Sequence, residues 1–152
     1  MFLLDTNVVS ELRKAKAGKA DPNVVAWASS VSAGSLFISV VTILELELGI
    51  LQLTRRDPAQ GEILQQWFNG HVMPAFDGRI LPIDTPVAKI CARLHVPHPR
   101  AERDALIAAT GLVNMLTVVT RNIQDFETTG VGLINPWVAR QRRDSNQDDA
   151  DR

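Results

Sequence analysis

This 152-residue chain has little that would let it be stapled, exported or anchored. Its single cysteine, Cys91, excludes an internal disulfide and points to a reducing cytoplasm. Cys91 lies in the stripe Val87, Ile90, Cys91 and Leu94, whose i, i+3, i+4, i+7 spacing marks a buried helix face. A structural thiol is expected there, not a reactive one. No segment approaches the roughly 18 uninterrupted apolar residues of a membrane span. The first residues lack a basic flank, and Asp5 interrupts their apolar run too early for a secretory signal, so none is expected. There is no glycine-rich dinucleotide loop, no Walker loop and no serine-hydrolase elbow, which leaves hydride transfer, P-loop chemistry and serine catalysis without support. His71, His95 and His98 have no cysteine cluster beside them, and His95-Val96-Pro97-His98 is too short and broken for a zinc site.

The composition that remains, 45% hydrophobic and 22% charged, suits one globular domain with a proper core. Short apolar runs alternate with longer helical patterns. Phe2–Leu4, Leu36–Val40, Ile80–Ile83, Thr117–Thr120 and Val131–Ile134 read as strands, the third an edge or irregular strand because Pro82 cannot donate to a ladder. Helical patterns cover Val24–Ser30, opened by Asp21 as cap and Pro22, then Ile43–Leu53, Ala59–Phe68, Pro86–Leu94 and Glu102–Met115. This alternation predicts an α/β fold with a mainly parallel sheet. The domain is expected to span residues 1–138. The charged segment 139–152, nearly free of apolar residues beyond Trp137, is expected to be a disordered tail.

Acids placed beside apolar segments carry the functional signal. Asp5 ends the first apolar run, at the carboxyl edge where open α/β sheets bind ligands. Asp104 opens the helical face Asp104, Ile107, Ala108, Gly111, Leu112 and Met115, which is apolar apart from the acid itself. A first-turn acid that merely complemented the helix dipole would serve equally well on the solvent side. Glu45 follows the second run, but Thr42-Ile43-Leu44-Glu45 also matches a capping box, which is the plainer reading of it alone. Asp125 follows the fourth run, where a turn-forming role competes, as it does for Asn122. Asp84, before Thr85-Pro86, reads as a helix cap. Several carboxylates at one sheet edge repel unless a cation sits among them, so a metal site is expected. Net charge is −1, yet setting those four acids aside leaves 13 of 17 acidic residues against 16 Lys and Arg. That balance permits a polyanionic substrate.

The segments LLDTNVVSEL (3–12), SVVTILELELG (39–49), RDALIAATG (103–111) and VVTRNIQDFETTGVGLINPW (118–137) resemble, in that order, the PIN-domain nucleases, in particular the VapC/FitB toxins of type II toxin–antitoxin systems. The likeness runs from Met1 to about Trp137. It implies a three-layer α/β/α sandwich with an acidic pocket for Mg²⁺ or Mn²⁺, cleavage of single-stranded RNA, a homodimer, and neutralisation by a cognate VapB/FitA-like antitoxin. Carried over by position, Asp5, Glu45 and Asp104 match the family's first three acids. The fourth position falls on Asp125 in members with the TRN-x-x-DF form seen here, or on Asn122 in members with an acid directly after TR. Asp125 is taken with the other three as a catalytic metal ligand. Thr120 and Asn122 would be supporting polar groups, with Arg121 and Asn122 beside the substrate. Two other readings are weighed. A receiver-like Mg²⁺-binding signalling module would need a paired acid at the first strand and a late lysine, whereas Asp5 stands alone and no lysine follows Lys89. A catalytically silent member that only binds a protein partner is opposed by the presence of the core acids.

Overall fold

Each of the five apolar runs expected as strands contains a strand in the computed structural model, which describes residues 1–139, although only two residues of the third and of the fifth run pair. Phe2–Leu4 (β1), Leu36–Ser39 (β2), Ile80–Leu81 (β3), Thr117–Val119 (β4) and Leu133–Ile134 (β5) pair in parallel throughout, in the order β3-β2-β1-β4-β5. Leu3 stands opposite Phe37 and Val118, and Leu4 opposite Val119. Pro82 follows β3, which is an edge strand as its sequence requires. The segment expected as a tail lies outside the described residues from position 140 onward.

Helices Thr6–Arg13 (α1), Pro22–Ser29 (α2), Val40–Arg56 (α3) and Pro58–Trp67 (α4) come first in the chain. A wide turn, Phe68–Val72, leads from α4 into the short Met73–Ala75 (α5), and Thr85–Leu94 (α6) and Glu102–Val113 (α7) complete the set. Because side chains alternate along a strand, the sheet has two apolar faces. Leu4, Ile38 and Val119 pack with Val8 and Val9 of α1, Trp27 of α2, Leu46 and Ile50 of α3, and Phe68. Leu3 and Val118 point the other way, against Val41, Ile107, Ala108 and Phe126. Outside α7, Val87 and Cys91 of α6 close over Ala105 and Ala109. The result is the expected three-layer α/β/α sandwich. Each fully buried Leu, Ile or Val adds about 1.5–3 kcal/mol of transfer free energy. Cys91 is buried, as its stripe implied. Asp21 and Asp84 cap α2 and α6, each with a proline at the helix start. Among the described residues no helix is long and apolar enough to cross a membrane.

Two local expectations are corrected. Thr6–Arg13, for which the sequence pattern predicts no element, is a helix that begins directly after Asp5, its cap. The capping box at Thr42 does not form either. Ser39 caps α3 by accepting from the Val41 amide, so the helix starts at Val40, cutting the expected strand short by one residue. Glu45 is therefore in the second turn, free of capping duty.

Candidate active site

Strand order reverses between β1 and β4: β2 and β3 lie beyond β1 on one side, β5 beyond β4 on the other. In such sheets the crevice at the carboxyl ends of the two central strands is the natural ligand site. Asp5 stands there. Its backbone N–H continues the ladder to Val119 O at 2.9 Å, while its side chain turns into the crevice and is only 6% exposed. Oδ1 accepts from the Thr6 amide at 2.8 Å, and Oδ2 accepts from the Thr120 hydroxyl at 2.8 Å and from Asn7 Nδ2 at 3.4 Å. Burial pushes the Asp5 carboxyl above its ordinary range. The Thr120 and Thr6 hydrogen bonds oppose that rise, while the charges of Glu45 and Asp125 add to it.

Asp104 enters from the first turn of α7. Burial, then the charges of Asp5, Asp125 and Glu45, push its carboxyl from 3.8 up to about 6. That set of causes locates the cluster: four acids from four separate segments lie within electrostatic reach of one another. Glu45 is steered by α1 across the crevice. The Thr6 hydroxyl gives its one proton to Glu45 Oε1 at 2.8 Å and stands 3.1 Å from the Thr42 hydroxyl. Glu45 Oε2 faces Arg103 Nη1 at 3.8 Å.

Asp125 sits in a short 3₁₀ turn, Ile123–Asp125, exposed to solvent. Its charge is nonetheless felt by both Asp5 and Asp104. Asn122 is held by its backbone, whose N–H donates to the Thr120 hydroxyl at 3.0 Å. Thr120 thus ties the turn to Asp5. Arg121 lines an open pocket of about 340 Å³ with Asn122, Asp125 and Asn135, and its guanidinium lies over the Trp137 ring at 5.3 Å.

Thr6, Asn7, Thr42 and Arg103 belong to this site without having been singled out by sequence. Thr6 and Asn7 adjoin Asp5, and Asn7 Oδ1 also accepts from the Arg121 amide at 3.3 Å. Thr42 lies one turn before Glu45, a spacing that served equally for the capping box. Arg103 adjoins Asp104 and looks like any surface charge at a helix start.

As placed, no three acidic, histidine or cysteine side chains among the described residues converge enough to grip one ion. The Asp5 oxygens are engaged with Thr6, Asn7 and Thr120, and those of Glu45 with Thr6 and Arg103. The donor set is still that of a hard divalent cation, carboxylates supported by hydroxyls, with no soft ligand. Burial first, and then repulsion from Asp5, Asp125 and Glu45, raise the Asp104 carboxyl, and a cation would relieve the repulsion.

The chain matches the PIN domain family model over residues 2–131. It is 37% identical over 142 residues to Toxin FitB of Neisseria gonorrhoeae, covering 90% of this chain and 99% of that protein. It is 35% identical over 144 residues to VapC ribonuclease Y4jK of Sinorhizobium fredii, covering 90% and 98%. Among solved structures, the crystal structure of FitAcB from Neisseria gonorrhoeae superimposes with a TM-score of 0.81 at 36% identity, covering 90% of this chain and 99% of that one.

Proposed function

This chain belongs to the PIN-domain family, and on that premise we propose that it is a metal-dependent endoribonuclease toxin held in check by a cognate antitoxin. The observation that carries the reading is the gathering of Asp5, Glu45, Asp104 and Asp125 at the β1/β4 switch point, with Asp104 driven to about 6 by burial and the other three. Relatives of similar length named as a toxin and as a VapC ribonuclease support it. Family membership leaves the receiver-like reading without a footing.

Asp5 and Asp104 would hold Mg²⁺ or Mn²⁺, with Glu45 and Asp125 completing the shell or orienting the attacking water. A bound divalent cation lowers the pKa of its water and offsets phosphate charge. The chain's own residues do the rest. Thr120 and the Thr6 amide fix both Asp5 oxygens, so the carboxylate is aimed before substrate arrives. Thr6 sets the direction of Glu45. Asn7 joins the Asp5 side to the Arg121 backbone, so the acids and the Arg121–Asn122 wall of the pocket keep a common frame. Arg121 and Asn122 then meet the RNA chain, Arg121 through the bidentate geometry that suits phosphate.

Cleavage of single-stranded RNA with Mg²⁺ or Mn²⁺ tests this. We expect EDTA, Asp5→Asn and Asp104→Asn each to abolish it, and full cleavage by either variant would overturn the assignment. A folded protein that binds the cation but cuts nothing would favour the partner-binding reading instead. The antitoxin and a homodimer complete the proposal. Leu44, Leu48 and Leu51 support the dimer, forming an exposed apolar stripe along α3 at i, i+4, i+7.

A further inference from the structure

Among the described residues, two ion pairs form. One joins near neighbours, Lys14 and Glu11. The other, Arg103 to Glu45, bridges α7 to α3 at the acid cluster. Arg103 is oddly placed for stability. It occupies the first turn of α7, where a cation opposes the helix dipole. Its contact with Glu45 is long, 3.8 Å, and its side chain is 51% exposed, so the pair holds weakly. A weak pair is easily exchanged.

From this geometry we propose that Arg103 is a substrate-positioning residue: it neutralises Glu45 in the cation-free protein, is released when a divalent cation takes Glu45, and then contacts an RNA phosphate. The proposal rests on the ribonuclease reading above. Its physical basis is charge exchange at one carboxylate. An RNA backbone approaching four acids meets repulsion that a bound cation offsets only in part, and the guanidinium set free is a rigid fork suited to phosphate oxygens. Arg121, by contrast, lies against the Trp137 ring.

The test measures two affinities, of which only that for RNA should weaken. Mn²⁺ binding is followed by calorimetry, and binding of a fluorescent single-stranded RNA oligonucleotide is followed in Ca²⁺ at several salt concentrations. The full-length protein is compared with Arg103→Ala and Arg103→Lys. In Arg103→Ala, Mn²⁺ should bind equally or up to about fivefold more tightly, since its competitor for Glu45 is gone. RNA affinity should fall roughly tenfold, and the salt slope should drop by about one phosphate contact. Arg103→Lys should keep the slope and recover part of the affinity. A purely structural arginine would weaken both ligands together. Weaker Mn²⁺ binding in Arg103→Ala, or RNA affinity and slope unchanged, would overturn the proposal while leaving the nuclease reading intact. A parent protein that binds neither Mn²⁺ nor RNA would sink both.

Discussion

Asp104 titrates near 6 because burial and three neighbouring acids all oppose its ionisation. A carboxyl whose pKa rises on folding favours the folded state while protonated. That contribution is whole below about 4, the unfolded value, and is lost as pH climbs through about 6. Without a cation the protein should therefore lose stability across that window. At pH 7.5 in EDTA, urea denaturation of Asp104→Asn should show a gain on the order of 1 kcal/mol, allowing for solvent screening of a half-buried group. The gap should close towards pH 4, and an equal gap at both pH values would refute the electrostatic account. The same proton competes with a cation for the carboxylate, so Mn²⁺ affinity should fall as pH drops below about 6. Thr120→Val has the opposite sense. It leaves a buried Asp5 oxygen and the Asn122 amide short of a partner, at a cost of about 1–3 kcal/mol in the same denaturation experiment. At this scale Asp5 and Asp104 were legible, because an acid on an otherwise apolar run or face breaks a local pattern. Thr6 and Arg103 broke none. Their importance comes from contacts with Glu45, 39 residues away in the case of Thr6.

Among the elements, the α3–α4 hairpin offers a contrast between two glycines. A Cβ on Gly61 of α4 would lie 2.7 Å from the Thr54 Cα of α3 and closer still to its side chain, so the helices must part. Gly49, within α3, has open space around its Cβ position. Gly49→Ala should raise stability by about 0.5–1 kcal/mol through helix propensity, while Gly61→Ala should lower it by about 1–3 kcal/mol through overpacking. Thermal melts of the two variants should move in opposite directions, and a stabilised Gly61→Ala would mean that the contact is not close. The helices that could be read from sequence were those with long apolar stripes. Helix α1 was not, because it follows β1 with a single residue between them, Asp5, which serves as its cap. The cap of α3 was misassigned for a related reason. Ser39 and Thr42 are both good capping residues, and only the point where the strand leaves the sheet selects Ser39.

For the molecule as a whole, cation binding should act as a clamp, since the acids come from the end of β1, from α3, from α7 and from the turn after β4. A ligand that binds only the folded state raises stability by about 2.7 kcal/mol at a hundredfold excess over its Kd. Mn²⁺ should therefore raise the melting temperature in a concentration-dependent way, and Asp5→Asn should remove the shift. An undiminished shift in that variant would place the ion elsewhere. If the α3 stripe joins two copies, Leu48→Glu should yield a monomer by sedimentation at concentrations where the parent is a dimer. The α/β class, the strand positions and the buried thiol were all contained in the order of apolar runs and stripes, because burial leaves a local period of two or 3.6 along the chain. The company kept by Asp5 was not. Thr120 lies 115 residues away, and the two side chains meet only because β1 and β4 are parallel neighbours at the point where strand order reverses. Pairing between distant strands is settled by how the helices cover both faces of the sheet, and it leaves no period in the sequence from which the partners could be read.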